Sequence, residues 1–128
     1  ALAWPNHQHH SHAHAWFATE AKKGWATCAF TQLGFIRLSS NPAYTRDAVS
    51  PQEAATLLHQ WTQLKGHRFW ASPAADDPAF YRRAFGHQQV NDAWLVEVAR
   101  RNAGRLVTLD TRLPVHSSEP GVVEVIKV

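Results

Sequence analysis

Apolar residues recur at helical spacing in two stretches of the chain, and in both the flanking residues supply helix ends. Ala54, Leu57, Leu58, Trp61 and Leu64 fall on one face, the period of an amphipathic helix laid on a core. Ser50-Pro51-Gln52-Glu53 stands ahead of them, with a hydroxyl for the N3 amide, a proline where no amide hydrogen is needed, and a glutamate to complete a capping box. From Gln89 to Asn102 the stripe is Val90, Ala93, Trp94 and Val98, and Gly104 is placed to end that helix. Weaker patterns predict a helix over Asn6 to Glu20, stopping before Lys22-Lys23-Gly24, and one from about Thr31 to Leu38, stopped by Ser39-Ser40-Asn41-Pro42. Asp77-Pro78 starts a short helix through about Phe85 by the same capping logic.

Short apolar runs separate these helices. Trp25 to Ala29, His67 to Trp70, Arg105 to Asp110 and Val122 to Val128 read as strands. Strands alternating with helices predict an α/β fold with a mostly parallel sheet covered on both faces. At 128 residues the chain reads as a single domain over 1–128. No apolar run approaches the roughly 18 to 20 residues that a membrane span needs. The lone Cys28 cannot form an intrachain disulfide, and its apolar surroundings mark a small buried thiol. With no secretory signal, a cytoplasmic location is expected.

Thirteen Lys and Arg against ten Asp and Glu give a net charge of +3, which tolerates a polyanionic partner without requiring one. The candidates for contacts to such a polyanion are Arg82, Arg83, His87, Arg112 and Lys22-Lys23. Arg100 and Arg101 end a helix, where cations favour the dipole without any ligand. Glu97 precedes Arg101 by four residues and reads as a solvated ion pair. Five histidines crowd between His7 and His14. His10 and His14 share a helical face that can take Zn²⁺ or Ni²⁺ adventitiously, but no further ligands at a recognisable spacing join them.

The acids Asp92 and Asp110 matter most. Asp92 lies in the first turn of the helix that opens Val90-Asn91-Asp92-Ala93-Trp94-Leu95, and Asp110 closes the strand Leu106-Val107-Thr108-Leu109-Asp110. A helix followed by a short strand brings both near one sheet edge, where parallel α/β proteins build their sites. From spacing alone a plainer reading stands beside this one. The first acid would be a helix cap and the second a turn former.

Three segments together, Trp25 to Pro42, Gly86 to Leu95 and Leu106 to Asp110, resemble the PIN-domain ribonucleases, and within them the VapC-type toxins of bacterial toxin–antitoxin pairs. The likeness runs from about Ala1 to Val128. It implies a three-layer α/β/α sandwich and a metal-dependent endoribonuclease, in which several acids converge on Mg²⁺ or Mn²⁺ to hydrolyse RNA. Asp92 and Asp110 would then be catalytic, metal-binding carboxylates. Asn91 would hold a water beside them. Thr31 and Gln32 occupy the stretch where the family often has a glutamate, and Gln32 brings no charge. The resemblance also implies a cognate antitoxin that covers the acidic cleft, and a homodimer. Family members begin with a strand carrying a first aspartate, whereas Ala1-Leu2-Ala3-Trp4-Pro5 already resembles the helix after it. The chain is therefore expected to be N-terminally incomplete, lacking its first strand, and to hold a metal weakly through two carboxylates. The alternative is a catalytically impaired PIN-like scaffold that binds RNA or an antitoxin.

Overall fold

The computed structural model describes residues 10–117 and 119–127, with backbone alone at His10. The part of the first helix before His10, and the expectations attached to Ala1-Leu2-Ala3-Trp4-Pro5, lie outside the described residues. The chain divides into two compact units, one ending at Ala71 and the other beginning at Ser72.

In the first unit, helix α1 (His10–Glu20) runs into a 3₁₀ turn over Ala21–Lys23, strand β1 (Trp25–Cys28), helix α2 (Ala29–Ser39), helix α3 (Pro51–Thr62) and strand β2 (His67–Trp70). β1 and β2 pair in parallel with Trp25 opposite His67 and Cys28 opposite Trp70. Both strands start from glycines with left-handed backbones, Gly24 at φ +105° and Gly66 at φ +95°. A Cβ at Gly66 would stand 3.3 Å from the Ala21 carbonyl oxygen. The close approach lets Trp25 N–H donate to Gly66 C=O at 3.1 Å, which opens the ladder.

Ser50 caps α3 as its sequence predicts, its hydroxyl accepting the Glu53 N–H at 3.1 Å. Ala54 is fully buried, whereas Leu64 lies beyond the helix end and is 50% exposed. The stripe therefore covers the core only as far as Trp61. Phe17 packs edge-on to Trp25 at 5.3 Å and against Trp61 at 5.8 Å, contacts of about 0.5–1.5 kcal/mol each beyond the area they bury. Cys28 is buried, as its apolar surroundings imply.

In the second unit, 3₁₀ turns over Pro78–Tyr81 and His87–Gln89 lead into helix α4 (Val90–Arg101), strand β3 (Leu106–Thr108), a 3₁₀ turn over Leu113–His116 and strand β4 (Val123–Val125). Asp77 caps the first turn, its carboxylate accepting the Ala79 N–H at 2.9 Å. β3 and β4 pair in parallel, Leu106 opposite Val123. The core is Ala93, Val96, Val98 and Ala99 of α4, closed by Leu113 and Val122. Val90 is 42% exposed, so the buried face begins one turn later than the sequence stripe.

α4 does not end on Gly104. Ala103 takes the left-handed position at φ +52°. Ala103 N–H donates to Arg100 C=O and Gly104 N–H to Ala99 C=O, the double closure of a Schellman motif with alanine where glycine is usual. Parallel pairing between helices agrees with the α/β expectation. Among the described residues, the single sheet expected from the sequence takes the form of two two-stranded ladders, one in each unit. β3 ends at Thr108, so Asp110 follows the strand rather than closing it.

Candidate acidic site

Asp92 lies in the first turn of α4, where the positive end of the helix favours a carboxylate. It is half-buried, and its carboxylate makes no hydrogen bond or ion pair with the described residues. Asp110 stands two residues beyond β3, where its backbone N–H donates to the Thr108 hydroxyl at 3.0 Å. Its carboxylate is gripped by Arg112 in three ways. Oδ1 accepts the Arg112 backbone N–H at 2.9 Å and Nε–H at 3.0 Å, and Oδ2 accepts Nη2–H at 3.0 Å. The backbone contact is the turn that an Asp in this place commonly makes. The two guanidinium contacts form the fork that suits a carboxylate.

This grip sets the local electrostatics. Hydrogen bonds from the Arg112 side chain, then from its backbone, hold the Asp110 carboxyl below the usual carboxylate range, and the charge on His116 adds to the effect. Arg112 is pushed up in turn, chiefly by Asp110 and also by Asp92. Arg112 thus meets the Asp110 carboxylate directly, and Asp92 acts on it only as a weaker, more distant charge. Among the described residues no three His, Cys, Asp or Glu side chains gather as a metal cluster. Asp92 and Asp110 supply two hard carboxylates within the second unit. That fits a magnesium-like ion held by one or two carboxylates with waters and substrate phosphate making up the octahedron.

Asn91 is exposed beside Asp92 and makes no side-chain hydrogen bond among the described residues. Thr31 and Gln32 belong to the first unit. The Thr31 hydroxyl accepts the Cys28 N–H and donates to the Cys28 C=O, each at 3.0 Å, which closes the start of α2. Gln32 donates through Nε2 to the Thr27 hydroxyl at 2.9 Å, and the same hydroxyl meets His67 Nε2 at 2.8 Å. Burial pushes the His67 imidazole down, with a contact to the Thr62 backbone opposing.

The sequence reading missed two features. Arg112, a candidate for contacts to RNA, also forks onto Asp110. Glu97 was read as solvated, yet its side chain is 15% exposed and accepts from both Arg100 and Arg101. Spacing signals both guanidinium contacts, since residues three and four apart share a helix face.

No family model matches the chain. Individual relatives do. It is 40% identical over 129 residues to "Ribonuclease VapC39" of Mycobacterium tuberculosis, covering 98% of this chain and 92% of that one. It is 40% identical over 110 residues to "Ribonuclease VapC38" of the same organism, covering 86% and 78%. For "Ribonuclease VapC44" the figures are 37% over 113 residues, with 86% and 79% covered. With identity at this level across most of both chains, the protein belongs to the VapC family of ribonucleases.

Proposed function

We propose that the protein is a metal-dependent endoribonuclease toxin that hydrolyses RNA phosphodiester bonds and is neutralised by a cognate antitoxin. What carries this is 40% identity across most of both chains to a protein named as a ribonuclease of the VapC family, together with a half-buried carboxylate at Asp92 in the first turn of α4. Asp92 and Asp110 would hold Mg²⁺ or Mn²⁺, and Asn91 would hold a water beside it. When bound, such an ion polarises the phosphate and lowers the pKa of a water. The protein's own residues do the rest. Asp92 keeps a half-buried carboxylate unpaired at a helix start. Asp110 is fixed by its turn, and Arg112 balances its charge.

The partners that belong to this reading are an RNA substrate, a cognate antitoxin and a second copy of the chain. No helix among the described residues is long and apolar enough to cross a membrane.

The test is cleavage of structured RNA in Mg²⁺ or Mn²⁺. Asp92→Asn is expected to abolish it, and undiminished cleavage by that variant would remove Asp92 from the mechanism. A second reading, a scaffold that binds RNA or an antitoxin without cutting, is favoured by the neutral Gln32, whose amide nitrogen is engaged with Thr27. That scaffold would keep partner affinity and leave RNA intact at every metal concentration.

A further inference from the structure

We infer that a cavity along α4, which starts at Ala93, the residue after Asp92, is a phosphate-binding subsite for the RNA strand that flanks the scissile bond. The inference rests on the ribonuclease reading and adds to it a path for the substrate. The cavity has a volume of about 330 Å³ and lies wholly in the second unit. α4 lines it with Ala93, Val96, Glu97, Arg100 and Arg101, the i, i+3, i+4, i+7, i+8 stripe of a single helix face. Asp92 borders the same stripe, one residue from Ala93 and one turn before Val96. Eight residues separate Asp92 from Arg100, about 12 Å along the helix axis.

The charge along this path favours a repeating anion. Arg82 and Arg83 also line the cavity, exposed, and make no hydrogen bond or ion pair among the described residues. Arg100 and Arg101 share one carboxylate, that of Glu97, while Glu119 stands 3.8 Å from Arg100. The Asp77 carboxylate is engaged in capping Ala79. His116 also lines the cavity, and its Nδ1 is shielded from solvent without a hydrogen-bond partner. Guanidinium groups match phosphate oxygens two at a time. An RNA strand whose scissile phosphate sits at Asp92 must continue along one side or the other, and the cavity offers unpaired arginines on that course. An acidic peptide has no comparable reason to pass Asp92.

The experiment measures binding of labelled single-stranded RNA by fluorescence anisotropy, in EDTA so that nothing is cut, over a range of salt. Arg82→Ala/Arg83→Ala is compared with the wild type and with Asp92→Asn, and circular dichroism checks that each variant is folded. Each phosphate contact on a single strand contributes about 0.7 to the log–log salt slope. The double variant is expected to lower the slope by about 1.4, which corresponds to a roughly 25-fold loss of affinity at about 0.1 M salt. Asp92→Asn should bind at least as tightly as the wild type. A double variant with the wild-type slope and affinity would overturn the inference, as would an equal loss of binding to poly-glutamate, which would show a site for acidic protein. Arginine-dependent RNA binding without cleavage in metal would uphold the subsite and refute the nuclease reading alone. Asp92-dependent cleavage with arginine-independent binding would do the reverse.

Discussion

Replacing Glu97 with glutamine tests the charge node of the second unit from both sides. Its carboxylate accepts Arg100 through Nε at 3.0 Å and through Nη2, and Arg101 through Nε at 3.2 Å. Hydrogen bonding from Arg100 holds it below the usual carboxylate range, although partial burial opposes this and Arg101 assists. The guanidinium groups are 42% and 45% exposed, so solvent screening keeps each pair to the scale of a helix surface pair, about 0.3–0.5 kcal/mol. With two pairs, one of them bidentate, Glu97→Gln should cost about 1 kcal/mol near neutral pH. For a chain of this size that lowers Tm by roughly 3 to 5 °C. A depressed folded-state pKa contributes stability that is present above the ordinary glutamate value and is lost as pH falls through the folded one. Wild type and variant should therefore differ in thermal scans at pH 7 and converge toward pH 3. The same substitution frees two arginines in the cavity, so RNA binding in EDTA should tighten and its salt slope steepen. An equal gap at pH 7 and pH 3, or weaker RNA binding by the variant, would refute the reasoning.

Three further outcomes follow from other parts of the fold. Ala103→Gly relieves a left-handed backbone that costs a non-glycine residue about 1–2 kcal/mol, so the variant should raise the melting temperature in the same scans. Ser50→Ala removes the α3 cap and should destabilise by about 1 kcal/mol; no change in denaturant midpoint would show that water replaces the hydroxyl. His67 has a lowered pKa through burial, so the unfolded chain binds its proton first as pH falls below about 6.5 and stability drops there. In His67→Asn the decline between pH 7 and 5.5 should be shallower, measured by urea titration at each pH.

The chain's strongest local signals were the most legible. Ser50 at the cap and Asp77 before Pro78 rest on interactions within a few residues, and each stands where the pattern puts it, as do the strands around Trp25 and His67, although these pair across two intervening helices. What depends on the surroundings was harder to read. Periodicity marks a face without saying what covers it, so Val90 and Leu64 were placed in the core and are exposed, while Val96 and Ala99 were missed there. The end of α4 misled because glycine is the usual left-handed residue, and here Ala103 precedes it. At the acidic site it is the family resemblance, not the spacing, that singles out Asp92 and Asp110. The Arg112 fork was not legible, because a guanidinium two residues on can turn back to Asp110 or out to solvent, and sequence does not choose between rotamers. The cavity along α4 likewise depends on how the turns at Pro78 and Leu113 lie against the helix.

The account stands most directly on whether Asp92 and Asp110 share one cation. Mn²⁺ binding by wild type, Asp92→Asn, Asp110→Asn and the double variant, followed by electron paramagnetic resonance, measures this without reference to activity. A shared site predicts one bound ion per chain, a loss of at least about ten-fold in affinity for either single variant, and little further loss for the double variant. Wild-type affinity in either single variant, or losses that simply add in the double variant, would contradict it.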